Sequence, residues 1–149
     1  MTFRWLEQNI PKNAPLGLVH GDFRNGNFVV GPEGIRAVLD WELGHVGDGM
    51  EDLGWLCVHA WRFGQHDKPV GGFGLREDLF AGYENAGGRK VDPKVVHFWE
   101  VLGTLKWGII CMFQAYKHLS GLIDSFEHMA IGRRACENEI DLLKLIEEA

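Results

Sequence analysis

LVHGDFRNGNFVVGPEGIRAVLDWELGHVGDGMEDLGW, residues Leu18 to Trp55, is the stretch that decides the fold. It opens inside an apolar run, Leu16 to His20, that reads as a short strand and delivers His20-Gly21-Asp22. Asn27 follows five residues after Asp22. Phe28–Val30 and Ile35–Leu39 are two further strand candidates, and Gly31-Pro32-Glu33-Gly34 between them has the residues of a tight turn, so they pair as a hairpin. The second of these strands runs out at Asp40, followed by Trp41-Glu42. A hairpin returns the chain, so Asp40 is expected beside the Asp22–Asn27 loop. Two carboxylates and an amide then converge at strand ends. Oxygen donors of this kind suit Mg²⁺, which takes one or two carboxylates together with substrate phosphates.

Downstream the pattern changes from short strands to helices. Leu53, Leu56, Cys57, Ala60 and Trp61 recur at three-to-four spacing, which predicts a helix from Met50 to about Arg62. Lys68 to Gly74 reads as a glycine-rich loop, and Leu75 to Ala86 as a second helix stopped by Gly87-Gly88. Asp92 as N-cap and Pro93 at the first helical position start a third helix that reaches about Leu119. Its apolar residues nearly encircle it, which predicts a central buried helix. Ser125 to Glu148 reads as one final helix with a serine cap. The fold class is therefore α+β and mainly helical.

The 149 residues, 46% of them hydrophobic and 24% charged, suffice for one domain with a real core and are too few for two full ones. Residues 1–149 are accordingly read as one domain. A net charge of −6, from 21 acidic and 15 basic residues, argues against a broad nucleic-acid-binding face. Cys57, Cys111 and Cys136 are odd in number and sit in apolar helical patterns, so they read as reduced core thiols of a cytoplasmic protein. Met1 to Pro11 lacks the apolar run of a signal peptide. Val101 to Tyr116 is interrupted by Lys106 and Gln114 and is too short to span a bilayer, so no membrane partner is expected.

The motif H-G-D-x-x-x-x-N followed by D-W-E resembles the catalytic and metal-binding loops of the aminoglycoside phosphotransferase and choline kinase family, itself related to the protein kinases. Gly47-Asp48 and Asp52-Leu53 resemble that family's G-D-P-x-x-D-L segment. Within the family, LVHGDFRNGN, VLDWE and the tryptophan-rich helices are similar to bacterial phosphotransferase proteins, and to kinase-like domains found alongside acyl-CoA dehydrogenases. The resemblance implies a protein-kinase-like C-terminal lobe, with a small β-hairpin and catalytic loop packed on four or five helices. It implies ATP as phosphoryl donor, Mg²⁺ as cofactor and a small hydroxylated molecule as acceptor.

Carried over residue by residue, Asp22 matches the catalytic base that takes the proton of the attacking hydroxyl. Asn27 and Asp40 match the Mg²⁺ ligands that hold the nucleotide phosphates. Arg24 stands where a cation faces the γ-phosphate, or else is a surface arginine beside an acidic loop. His20 is expected to hold the loop, Asp48 to brace it, and Asp52 to cap the following helix. His45 reads as a solvated loop histidine. A metal-dependent hydrolase built on His20, Asp22 and Asp40 would leave Asn27 unexplained and lacks a histidine-rich ligand set.

A complete kinase of this type also has a small lobe, with a loop over the nucleotide phosphates and a lysine paired to a helix glutamate. Only 19 residues precede His20, and they carry no such elements. Val70-Gly71-Gly72-Phe73-Gly74 does not replace the phosphate loop, because Glu77 occupies the third glycine's place. The expectation is a C-terminal lobe whose N-terminal lobe is missing or separate, with Met1 as a candidate internal methionine of a longer reading frame. Such a lobe would be weakly active or inactive alone. The alternative is a noncatalytic kinase-like binding or scaffold module. Trp61, Phe63, Phe98, Trp99, Trp107 and Phe113 are expected to be mostly core. The scattered acids of the later helices suit a less charged acceptor than an aminoglycoside.

Overall fold

Turn chemistry and strand pairing organise the first third of the chain. The computed structural model describes residues 1–147. A helix α1, Thr2–Asn9, comes first, and strand β1, Leu16–Val19, follows it. A single turn at Asn25–Asn27 leads into β2, Phe28–Gly31, and β3, Gly34–Val38. The β2–β3 hairpin closes with Gly31 opposite Gly34, which adopts φ +117°, a conformation open to glycine. A register shift between Val29 and Val30 bends the hairpin. After a short turn at Trp41–Leu43, strand β4, His45–Asp48, runs antiparallel to β1, pairing Val19 with His45 and Leu16 with Asp48. The sequence reading missed both α1 and β4. The β-structure is thus two separate two-stranded sheets, one of them spanning the whole site motif from its first strand to its last.

Helix α2, Met50–Cys57, ends earlier than its apolar period suggests. Val58 turns extended (φ −53°, ψ 133°), and His59–Arg62 continues as a tight 3-10 turn. Helix α3 is Arg76–Asn85, and α4 is Pro93–Leu119, where Asp92 accepts the Lys94 N–H at 2.9 Å as a cap. The predicted final helix is two: α5, Phe126–Gly132, capped by Ser125 accepting from the His128 N–H, and α6, Ala135–Glu147. Glu148, its expected end, lies outside the described residues.

The chain forms two compact units, Asn9–Glu100 and Met1–Gln8 with Val101–Ala149. In the first, Met50, Leu53, Val91 and Val96 make one core, and Leu56, Cys57 and Val70 make another, with Phe23 and Phe28 packed on it. The α2 backbone lies directly on the start of α4. A Cβ at Gly54 would stand 2.5 Å from that of Trp99. In the second unit Val101, Thr104, Cys111, Asn138 and Leu142 are buried. The expectation of a uniformly buried α4 fails in its second half, where Ile109, Met112, Phe113, Tyr116 and Leu119 are exposed. Trp61 and Phe98 are core as expected, whereas Phe63 and Phe113 are exposed. Cys57 and Cys111 are buried free thiols, but Cys136 is exposed.

Candidate active site

Gly21 has φ +81°, and a Cβ there would meet the Leu43 carbonyl oxygen at 2.7 Å, so the tight exit from β1 needs glycine. Five further contacts fix this exit. The Nδ1 of buried His20 accepts from the Asp22 N–H at 3.2 Å, which leaves the ring proton on Nε2, and Nε2–H donates to the Leu39 carbonyl at 2.8 Å. The imidazole packs against Trp41 with ring centroids 4.5 Å apart. The Asp52 carboxylate, in the first turn of α2, accepts the His20 and Gly21 N–H groups at 2.8 and 3.0 Å. One histidine therefore ties the catalytic-loop motif to the end of the hairpin, and one carboxylate ties it to the helix.

The Asp22 carboxylate is ringed by donors. Trp55 Nε1 donates to Oδ1 at 2.8 Å, and Asn27 Nδ2 donates to Oδ2 at 2.8 Å and to the Asp22 carbonyl at 2.9 Å. Arg24 Nε forks to both carboxylate oxygens at 3.1 and 3.2 Å. The Arg24 guanidinium also lies over the ring of Trp61, 4.9 Å from its centroid. Asn25 anchors the loop from below, donating to the Gly71 carbonyl at 2.9 Å and to that of Trp61 at 3.4 Å. The glycine-rich run is therefore a floor under the loop. Trp55 and Asn27 are buried and fixed, while Arg24 is partly exposed.

Asp40 contrasts with this. The hairpin pairs Phe28 with Val38, and the Leu39 N–H donates to the Asn27 carbonyl at 2.8 Å, so the Asp40 backbone adjoins Asn27. Asp40 has φ +67°, ψ 60°, the left-handed region that aspartate tolerates better than most residues. It is exposed and, among the described residues, makes no hydrogen bond or ion pair with the protein. The Asn27 amide is oriented by its two bonds to Asp22, which leaves Oδ1 as its oxygen donor. These hard oxygens fit Mg²⁺ and do not fit a zinc-type site. Among the described residues no group of three or more His, Cys, Asp or Glu could hold a metal by itself. Mg²⁺ needs no such cage, since waters and phosphates complete its shell.

Asp48 and Asp52 exchange the parts expected of them. Asp52 braces the catalytic loop, whereas buried Asp48 accepts the Met50 N–H at 3.0 Å at the start of α2, pairs with Arg89 and accepts from Trp99 Nε1 at 3.3 Å. The reason is the unforeseen strand β4, which turns Asp48 inward and aims the first turn of α2 at the loop. His45 is exposed, as expected of a loop histidine, although it lies in β4. The Leu43 carbonyl at Nδ1, and to a lesser degree Glu51 at Nε2, holds its pKa above the usual value. Sequence reasoning missed Trp55. Its signal was the three-residue spacing from Asp52, which places both side chains on one face of α2. It also missed Glu100, fully buried on α4 and ion-paired to Arg62 and Arg76. Burial opposes the charge of Arg76, but Glu100 outweighs it and holds the guanidinium pKa above its ordinary value. Nearby, burial pushes the Cys57 thiol up to about 12, with Glu100 adding to the shift, so it stays protonated.

A family model for the phosphotransferase enzyme family matches residues 2–93, more than half of the chain. The chain belongs to that family. The chain is 38% identical over 89 residues to the Arabidopsis thaliana protein IBR3, a probable acyl-CoA dehydrogenase, covering 56% of this chain and 10% of that protein. It is 35% identical over 102 residues to mouse acyl-CoA dehydrogenase family member 11, covering 61% of this chain and 13% of that protein. The chain thus spans about a tenth of the length of these relatives. Among solved structures, a Ralstonia eutropha protein assigned to the aminoglycoside phosphotransferases superposes with a TM-score of 0.77 at 24% identity. The match covers 99% of this chain and 48% of that one. That likeness is one of fold, and the fold is kinase-like.

Proposed function

We propose that this phosphotransferase chain is the catalytic lobe of an ATP- and Mg²⁺-dependent enzyme that moves a phosphoryl group onto a small-molecule hydroxyl. The observation that carries the reading is the contrast in the site. A carboxylate held by Trp55 and Asn27 stands beside the Asn27 amide, whose Oδ1 the protein leaves for another ligand, and the backbone of exposed Asp40 adjoins Asn27. Asp22 takes the acceptor's proton as the acceptor oxygen bonds to the γ-phosphorus and the bond to the ADP oxygen breaks. Arg24, shared between Asp22 and the face of Trp61, would swing onto the phosphoryl oxygens. Asn27 and Asp40 would hold the ion, which when bound neutralises phosphate charge.

The remaining nucleotide contacts are assigned to a clamping lobe outside these residues, in line with the 48% of the Ralstonia chain that is covered. Positioning supplies most of the catalysis in phosphoryl transfer, so the chain alone should be folded and nearly inactive. ATP turnover by the isolated chain at rates usual for kinases would contradict this.

Calorimetric titration of Mg·ATP into the wild type and Asp40→Ala tests the reading. Weak metal-dependent binding that the variant abolishes supports it. Binding unaffected by the variant or by removal of Mg²⁺ overturns it, and no binding in either protein favours a noncatalytic module.

A further inference from the structure

We propose that His59 and His66 form a two-histidine site for a borderline divalent transition metal, Zn²⁺ or Cu²⁺, separate from the hard-oxygen site at Asn27 and Asp40. Their Nε2 and Nδ1 atoms face each other at 2.7 Å, with ring centroids 4.8 Å apart. The rings therefore meet nitrogen to nitrogen, nearly along the line between their centroids. One nitrogen carries the proton of this contact and the other accepts it. Zn–N bonds of about 2.0–2.1 Å at a tetrahedral angle place two imidazole nitrogens about 3.3 Å apart, so the pair must open by roughly 0.6 Å and the rings must turn from this opposed arrangement until both nitrogens face one ion.

The pair sits where that opening is easy. His66 is exposed, and its neighbours Gly64, Gln65 and Asp67 are exposed too. When the metal enters, each imidazole binds through the facing nitrogen and carries its proton on the far one. Imidazole is a preferred ligand for Cu²⁺ and Zn²⁺ and a poor one for Mg²⁺, so millimolar Mg²⁺ does not compete. With only two protein ligands, the other positions go to water, and Cu²⁺ binds more tightly than Zn²⁺.

The site would clip the segment between its ligands. His59 begins the turn that carries Trp61, whose ring lies under Arg24 and whose carbonyl accepts from Asn25. A metal held by His59 and His66 in the folded chain and not in the unfolded one raises stability by mass action.

The test uses the full chain and Zn²⁺ alone, with Mg²⁺ as control, followed by thermal unfolding and by the imidazole resonances in ¹H–¹⁵N spectra. Zn²⁺ at about 100 times its dissociation constant should raise the wild-type Tm by on the order of 5 °C and shift the His59 and His66 ring signals together. His66→Ala, in an exposed loop that tolerates truncation, should weaken binding about tenfold or more and lose the Tm shift. His59→Ala should do the same. Equal Zn²⁺ affinity in wild type and His66→Ala, ring shifts at other histidines, or no binding by the wild type at millimolar Zn²⁺ would each overturn the proposal.

Discussion

Asp22 and Asp40 are the two carboxylates of one motif, and the protein treats them in opposite ways. Asp22 lies in a ring of donors from Trp55, Asn27 and Arg24. Asp40 stands exposed in a left-handed backbone conformation, with no protein partner among the described residues. A side chain that must meet one proton at one place gains from being fixed before substrate arrives. A side chain that must meet a cation gains from keeping its oxygens unspent. The proposed function accounts for the difference, with Asp22 as the positioned group and Asp40 as the reserved one.

That contrast breaks most readily at its support. Asp52→Ala leaves the His20 and Gly21 N–H groups without their acceptor and should cost about 3 kcal/mol in urea unfolding. A loss below about 1 kcal/mol would mean that the loop holds itself. Trp55→Phe keeps an aromatic ring at this buried position but removes one donor from Asp22 and should cost about 1.5 kcal/mol by the same measurement. Asp40→Gly should run the other way. It relieves the positive φ and removes no protein contact, so stability should be unchanged or raised by up to about 1 kcal/mol. A clear loss there would show that Asp40 is a structural residue after all. The smallest effect is at His45. Its folded pKa is raised, so its contribution is fully present below the unfolded value of about 6.5 and is lost as pH rises through the folded value. Solvent screens this half-exposed group, so His45→Gln should cost under about 0.5 kcal/mol at pH 5.5 and nothing at pH 8.

The loop and hairpin were legible because their constraints are local. Gly31-Pro32-Glu33-Gly34 dictates a turn, and the spacing from Asp22 to Asn27 lets one side chain reach the other's carbonyl. What escaped depended on distant partners. Strand β4 is only four residues long, reads as polar and exists because β1 pairs with it, and the parts taken by Asp48 and Asp52 follow from that pairing. The early end of α2 was hidden because Ala60 and Trp61 keep the helical period and stay buried in a 3-10 turn. The break between α5 and α6 follows Gly132, whose missing Cβ would otherwise stand 2.4 Å from Ala115. That glycine answers to a close approach of Ala115, a partner distant in sequence that local spacing does not show. His59 and His66 lie seven residues apart without a helical period between them, and only the folded chain brings their rings together.

The central claim is that Asn27 and Asp40 share one ion with a nucleotide next to a fixed Asp22. Paramagnetic broadening by millimolar Mn²⁺·ATP in ¹H–¹⁵N spectra of the chain reads this directly, even where affinity is weak. The account predicts broadening centred on the Asn27 side-chain amide and the Asp40 backbone amide, lost in Asp40→Ala. Broadening centred elsewhere, or unchanged in that variant, would contradict it.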